Sequence, residues 1–180
     1  MKFFDRNFKD IFTFQIVSVI GGILAGTLLV VFTDKILLLP GMLILLPGFL
    51  EMRGNISGTL SSRLSSGLFL GVIKPEKMKT KILKGNLLAS FLLAIFLSFL
   101  LGLIAFLFSF FVFQIYTLRL IILAVIAGVI ANLIETPLTL FMTFYLFRKG
   151  HDPNNIMGPF ITSTGDITSI LSLLIAVVVI

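Results

Sequence analysis

No cysteine occurs in the chain, so disulfides, iron–sulfur clusters and thiolate–zinc sites are excluded, and the redox compartment is not readable. Histidine is nearly absent too, with His151 the only one. Without cysteine or a second histidine, the nucleophile–base pairs of soluble enzymes have few candidates. No glycine-rich stretch ends in Gly-Lys-Ser or Gly-Lys-Thr, which removes the phosphate-cradling loop of nucleotide-binding enzymes. The expectation is a non-enzyme with no cofactor. Charge is scarce as well: 12% of the 180 residues are charged and 58% are hydrophobic. Mean hydropathy is +1.15. A soluble domain has about a quarter of its residues charged. The composition is that of an all-α integral membrane protein forming one compact bundle.

Five stretches can cross roughly 30 Å of hydrocarbon at about 1.5 Å per residue, over residues 11–33, 36–66, 85–113, 116–147 and 153–180. The first apolar run exceeds the core of a signal peptide. Ahead of it, Phe3, Phe4, Phe8, Ile11 and Phe12 share a helical face, with Lys2, Asp5, Arg6 and Lys9 elsewhere. That pattern predicts a short interfacial helix lying on the membrane. No internal repeat or soluble regulatory domain is legible, so residues 1–180 read as a single transmembrane domain.

The net charge of +6 would suggest nucleic acid in a soluble protein, but here the basic residues follow a membrane topology and no nucleic-acid partner is expected. With five spans, Lys2, Arg6, Lys9, Lys74, Lys77, Lys79, Lys81, Lys84, Arg148 and Lys149 fall on one side. Only Lys35 and Arg119 fall on the other, while Arg53 and Arg63 lie within the second span. The asymmetry puts the N-terminus inside and the C-terminus outside a cell membrane. It also argues against dual topology, so self-association should give a parallel homodimer in contact with membrane lipids.

Spans one and three read as ordinary lipid-facing or packing helices. The second changes character at Glu51-Met52-Arg53-Gly54-Asn55. Glu51, Asn55, Gly58 and Ser62 recur on one face, and Pro40 and Pro47 remove backbone donors. Carbonyls freed at membrane depth need protein or a watery cavity around them. Gly54, Gly58 and the serines fit either a close-packing seam or a pore wall. Glu51 and Asn55 favour a cavity, because a seam needs neither. Span four carries Asn132 and Glu135 on one face, and the plainer reading of Glu135 is charge neutralisation with Arg53 or Arg63. Span five holds Thr162, Ser163, Thr164, Gly165, Asp166, Thr168, Ser169 and Ser172, with Thr162, Asp166 and Ser169 on one face. Hydroxyls around a carboxylate suit hard cations such as magnesium or calcium. A proton relay and an ion pair with Arg53 are the other readings of Asp166. His151 reads as a surface residue with no ligand role.

Pro47-Gly48-Phe49-Leu50-Glu51-Met52-Arg53-Gly54-Asn55, followed by Leu60-Ser61-Ser62-Arg63-Leu64-Ser65, resembles the second-helix signature of MgtE-type magnesium transporters. Asp152-Pro153-Asn154-Asn155, then Pro159 and Ile161-Thr162-Ser163-Thr164-Gly165-Asp166, resembles that family's fifth-helix signature. The likeness is strongest to the eukaryotic solute-carrier relatives. It implies five transmembrane helices working as a parallel dimer, with the second and fifth lining a central pore. Asp166 then matches the ion-binding aspartate and Asn55 the pore-lining asparagine. Arg53-Gly54-Asn55 stands where bacterial members usually have Gly-Gly-Asn, and Gly58-Thr59 where they carry an amide.

The resemblance makes Mg2+ the transported ion, with other divalent cations sharing the same oxygen chemistry. The resemblance implies Asp166 and Asn55 as metal-contacting residues, and the polar faces of the helices add Thr162, Glu51 and Glu135 to that set. Arg53, Gly54, Ser62, Asn132, Thr164, Gly165 and Ser169 line the pore or pair charges around it. Two alternatives remain. One is a proton- or sodium-coupled exchanger of divalent cations. The other is a half-transporter or membrane subunit that needs a different partner, such as a detached regulatory protein.

Overall fold

The computed structural model describes residues 6–37, 39–76 and 80–180. These residues form helices α1 (Arg6–Val31), α2 (Thr33–Ile36), α3 (Met42–Phe69), α4 (Lys81–Phe113), α5 (Arg119–Arg148) and α6 (Pro153–Val179), with no strand among them. Four of the described helices, α1, α4, α5 and α6, are long and apolar enough to cross a membrane. Although α3 has 28 residues, its polar middle sets it apart from those four.

Several boundaries differ from the expectation, two of them with a clear local cause. Instead of a separate surface helix ahead of residue 11, α1 runs unbroken from Arg6 to Val31. No proline or glycine interrupts residues 6–20, and each residue added to a formed helix costs less than starting a new one. Phe8 and Phe12 stack along it at 6.0 Å; Lys2, Phe3, Phe4 and Asp5 lie outside the described residues. The second long helix begins at Met42 rather than near residue 36. Pro40 cannot extend the helix, and Gly41 turns the chain at φ +90, a conformation L side chains rarely adopt.

Local chemistry marks the starts of the later helices. The Thr80 hydroxyl accepts from the Leu83 N–H at 3.2 Å and begins α4. Asp152 accepts from the Asn154 N–H at 2.9 Å, and Pro153 occupies the first turn of α6, where its missing donor costs nothing.

The packing centres on α3, which lies against α4, α5 and α6, while α5 also packs on α4 and α6. The helix α1 rests mainly along α6 and buries only Gly21 and Ala25. One core joins Met42, Leu45, Phe49 and Ile56 to Leu123, Ala124 and Leu173. A second gathers Leu60, Leu64, Leu68, Leu83 and Phe144 near the opposite end of α3. Lipid tails are as apolar as leucine, so helix association here depends on close fit. Small residues supply that fit. A Cβ at Gly128 would lie 1.9 Å from the Ser98 hydroxyl, one at Gly102 would lie 2.8 Å from the Ile121 backbone, and one at Gly21 would lie 2.3 Å from Ser163 Cβ.

Gly22, by contrast, has nothing within 4 Å of an added Cβ. Gly128→Leu is therefore expected to destabilise the bundle by about 1–3 kcal/mol through overpacking. Gly22→Leu should leave thermal unfolding in detergent unchanged, and equal behaviour of the two variants would refute this packing account.

Candidate functional site

A cleft of about 570 Å³ opens between α3 and α6. From α3 it is lined by Pro47, Leu50, Glu51, Gly54, Asn55 and Gly58, and from α6 by Gly158, Ile161, Thr162, Gly165 and Asp166. The spacing explains the grouping, because positions 51, 55 and 58 share one face of α3 while 158, 162, 165 and 166 share one face of α6. Asn55 Nδ2 donates to Glu51 Oε1 at 3.1 Å, which orients both side chains along the wall. The Thr162 hydroxyl donates to the Gly158 carbonyl at 3.1 Å. Pro47 has no N–H, so the Leu43 carbonyl loses its helical donor near the end of the cleft.

The cleft glycines differ from those at the helix crossings. A Cβ at Gly54, Gly58, Gly158 or Gly165 would meet nothing within 4 Å. Their small size serves no helix contact within this chain. It keeps the walls of the cleft wide and its backbone accessible.

Behind the cleft lies a buried ionic cluster. Arg53 and Glu135 are 1% and 0% exposed, with Arg53 Nη2 3.9 Å from Glu135 Oε2. Glu135 Oε1 lies 2.9 Å from the Thr168 hydroxyl, whose single hydrogen is shared with the Thr164 carbonyl at 2.7 Å. Arg53 Nη2 also reaches Ser57 Oγ at 3.4 Å. Arg53 belongs to α3, Glu135 to α5 and Thr168 to α6, so one carboxylate ties three helices. Arg53 is two residues from both Glu51 and Asn55, and Thr168 is two residues from Asp166. Two residues turn a helix by about 200°, so the inward hold of Arg53 and Thr168 presents Glu51, Asn55 and Asp166 to the cleft.

The residues singled out from sequence thus divide between two places. Glu51, Gly54, Asn55, Thr162, Gly165 and Asp166 line the cleft, and Ser62 lines its continuation along α3 with Gly58, Thr59 and Arg63. Glu135 and Arg53 lie behind it. Asn132 is buried and accepts from the Thr136 hydroxyl at 3.1 Å. The half-buried Thr164 donates to the Phe160 carbonyl at 2.8 Å, and Ser169 is fully buried. Gly158 escaped the sequence reading, although its spacing of four from Thr162 and seven from Gly165 marks the same face. His151 also does more than its sequence context suggested: its Nδ1 is 2.7 Å from Asp10 Oδ2, joining α1 to the turn before α6.

Chemically, the cleft offers two carboxylates, an amide and a hydroxyl, all oxygen donors suited to hard cations. Among the described residues no group of three or more His, Asp or Glu could hold a metal ion by itself. A family model for MgtE, divalent cation transporter, matches residues 46–176, a stretch that spans the α3 and α6 cleft residues. No curated protein matches the chain.

The ionic cluster yields a stability test. Arg53→Met or Glu135→Leu alone leaves a buried charge unpaired and should cost about 3–5 kcal/mol. The double replacement removes both charges and should recover most of that loss. A double variant no more stable than the worse single one, measured by thermal unfolding in detergent, would contradict the pairing.

Proposed function

The chain belongs to the MgtE family of divalent cation transporters, and on that premise we propose that it carries Mg2+ across the cell membrane through the α3–α6 cleft. The observation that carries the proposal is the convergence of Glu51, Asn55, Thr162 and Asp166 on one cleft of about 570 Å³. The family is one of transporters rather than enzymes, and the four apolar helices fit a multi-pass membrane protein.

Magnesium gives up its water reluctantly and is commonly held by one or two carboxylates plus retained waters. Six waters occupy about 180 Å³ at their share of the liquid, so a hydrated ion fits within the cleft. Asp166 binds this partly hydrated ion, while Asn55, Thr162 and Glu51 hydrogen-bond its water shell. At about 4 Å and an effective dielectric near 20, each carboxylate–unit charge attraction is about 4 kcal/mol, doubled for a divalent ion. That attraction offsets part of the dehydration that a hydrocarbon barrier imposes.

The cleft is one wall of the pathway, and a second copy completes it. In a parallel homodimer the two Asp166 carboxylates face each other and repel until a cation bridges them. The unoccupied space around Gly54, Gly58 and Gly165 supports this reading, because it lets a partner approach without clash. In this arrangement α1, α3, α4, α5 and α6 make five spans, with the N-terminus inside and the C-terminus outside. Coupled exchange is the second reading, favoured by Glu51 as a second carboxylate in the same cleft.

Asp166→Asn should reduce Mg2+ flux in proteoliposomes at least about tenfold, a loss of about 1.4 kcal/mol, without changing assembly. Full flux in that variant would remove Asp166 from ion binding. In the same assay, wild-type flux should follow the Mg2+ gradient and voltage; a requirement for an imposed pH or sodium gradient would transfer support to exchange. Orientation is tested separately. The native chain has no cysteine, so a single cysteine at Lys74 should react with impermeant maleimide only in opened vesicles, and one at Arg119 in intact cells; the reverse pattern overturns the topology.

A further inference from the structure

A second groove runs between α3 and α4. Its lining includes Leu60, Arg63, Asn86, Ser90, Leu93 and Leu97, and its volume is about 150 Å³. Through Asn55 and Leu97 it continues into a space of about 300 Å³ bordered by Leu100, Leu101 and Ile104. We propose that this groove binds an anionic phospholipid, with the lipid phosphate on Arg63 and an acyl chain along Leu60, Leu93 and Leu97.

The head of the site is built from two side chains. Asn86 Nδ2 donates to the Ile82 carbonyl at 3.0 Å, which fixes the amide. Its Oδ1 then accepts from Arg63 Nη1 at 3.4 Å, holding the guanidinium at the mouth of the groove. A guanidinium has five N–H donors in a planar fork, so most of that fork can face a phosphate. Among the described residues the ion pairs are Arg53–Glu135 and His151–Asp10, and Arg63 is in neither. An exposed arginine with no carboxylate in ion-pair range, bordering both this groove and the continuation of the α3–α6 cleft, can take a phosphate at the groove mouth.

Depth agrees with this assignment. Arg63 is six residues before the end of α3 and Asn86 five after the start of α4, or about 8–9 Å from each helix end. The same end of the bundle carries Lys74, Lys81, Lys84, Arg148 and Lys149. A basic collar of this kind attracts acidic headgroups near the surface. Below Asn86 the lining is mostly apolar, through Ala89, Leu93, Leu97, Leu100 and Ile104, with Ser90, Asn55 and Glu51 as its polar members. Asn55 borders both this groove and the α3–α6 cleft, so the bound lipid lies against the helix that lines the proposed ion path. Only this last link rests on the transport reading; lipid binding stands without it.

Native mass spectrometry of the delipidated, detergent-purified protein, titrated with phosphatidylglycerol or phosphatidylcholine, tests the site. Phosphatidylglycerol should bind with clear preference, and Arg63→Ala should weaken it about tenfold through loss of a charge-assisted contact. Asn86→Ala should weaken it less. Leu93→Trp with Leu97→Trp should block the chain while leaving Arg63 intact, and Lys74→Ala should change affinity less than threefold. Asp166→Asn should bind lipid like the wild type, which separates failure of this site from failure of the transport proposal. The proposal is overturned if folded, monodisperse Arg63→Ala or the double tryptophan variant retains wild-type affinity. Equal binding of the two lipids, or displacement of the lipid by inorganic phosphate, overturns it as well.

Discussion

The Glu135 carboxylate, held between Arg53 and Thr168, is the constraint on which the rest of the bundle depends. A buried carboxylate and a buried guanidinium each carry a large desolvation cost, which falls only when they lie together and find further hydrogen-bond partners. Glu135 meets part of that condition: Oε1 lies beside the Thr168 hydroxyl and Oε2 is 3.9 Å from Arg53, while Oε2 and the Arg53 Nε and Nη1 have no hydrogen-bond partner among the described residues. Because α5 thereby grips both neighbouring helices, their rotation about their own axes is restricted. The same grip that neutralises the charges turns Glu51, Asn55 and Asp166 toward a common cleft. The buried ionic cluster and the polar wall of the cleft are therefore arranged on opposite faces of the same two helices.

Glycine performs two unrelated tasks in this chain. At the α4–α5 and α1–α6 crossings, Gly102, Gly128 and Gly21 allow backbones and side chains to come closer than any Cβ would permit. Along the cleft, Gly54, Gly58, Gly158 and Gly165 face open space. Packing explains the first set. The second set makes sense only through what occupies or covers the cleft, which links these residues to the proposed hydrated ion and second protomer.

The two arginines of α3 show how position determines the fate of a charge. Arg53, near the middle of the helix, is enclosed by α5 and paired with Glu135. Arg63, closer to the basic end, is exposed and braced by Asn86. A central arginine cannot reach water and needs an acid nearby, whereas one within two turns of the helix end can reach headgroup depth. The buried pair orients the polar wall of the α3–α6 cleft, and the exposed residue anchors the proposed lipid.

The sequence by itself determined the membrane environment, the helical class and the faces of α3 and α6 that carry polar groups. Those properties depend on composition and on the fixed angular step of a helix, both readable residue by residue. The continuity of α1 through Arg6 was less legible, because a short aromatic stripe suggested a surface helix while the absence of breakers favoured one long one. Only the tertiary structure decided that Glu135 faces Arg53 rather than Arg63, or that Asn132 and Ser169 are buried while Thr162 lines the cleft. Such choices depend on how helices rotate against one another, and that rotation is set by side chains far apart in sequence. Periodicity can say which residues share a face of one helix; what that face meets is a property of the packed bundle.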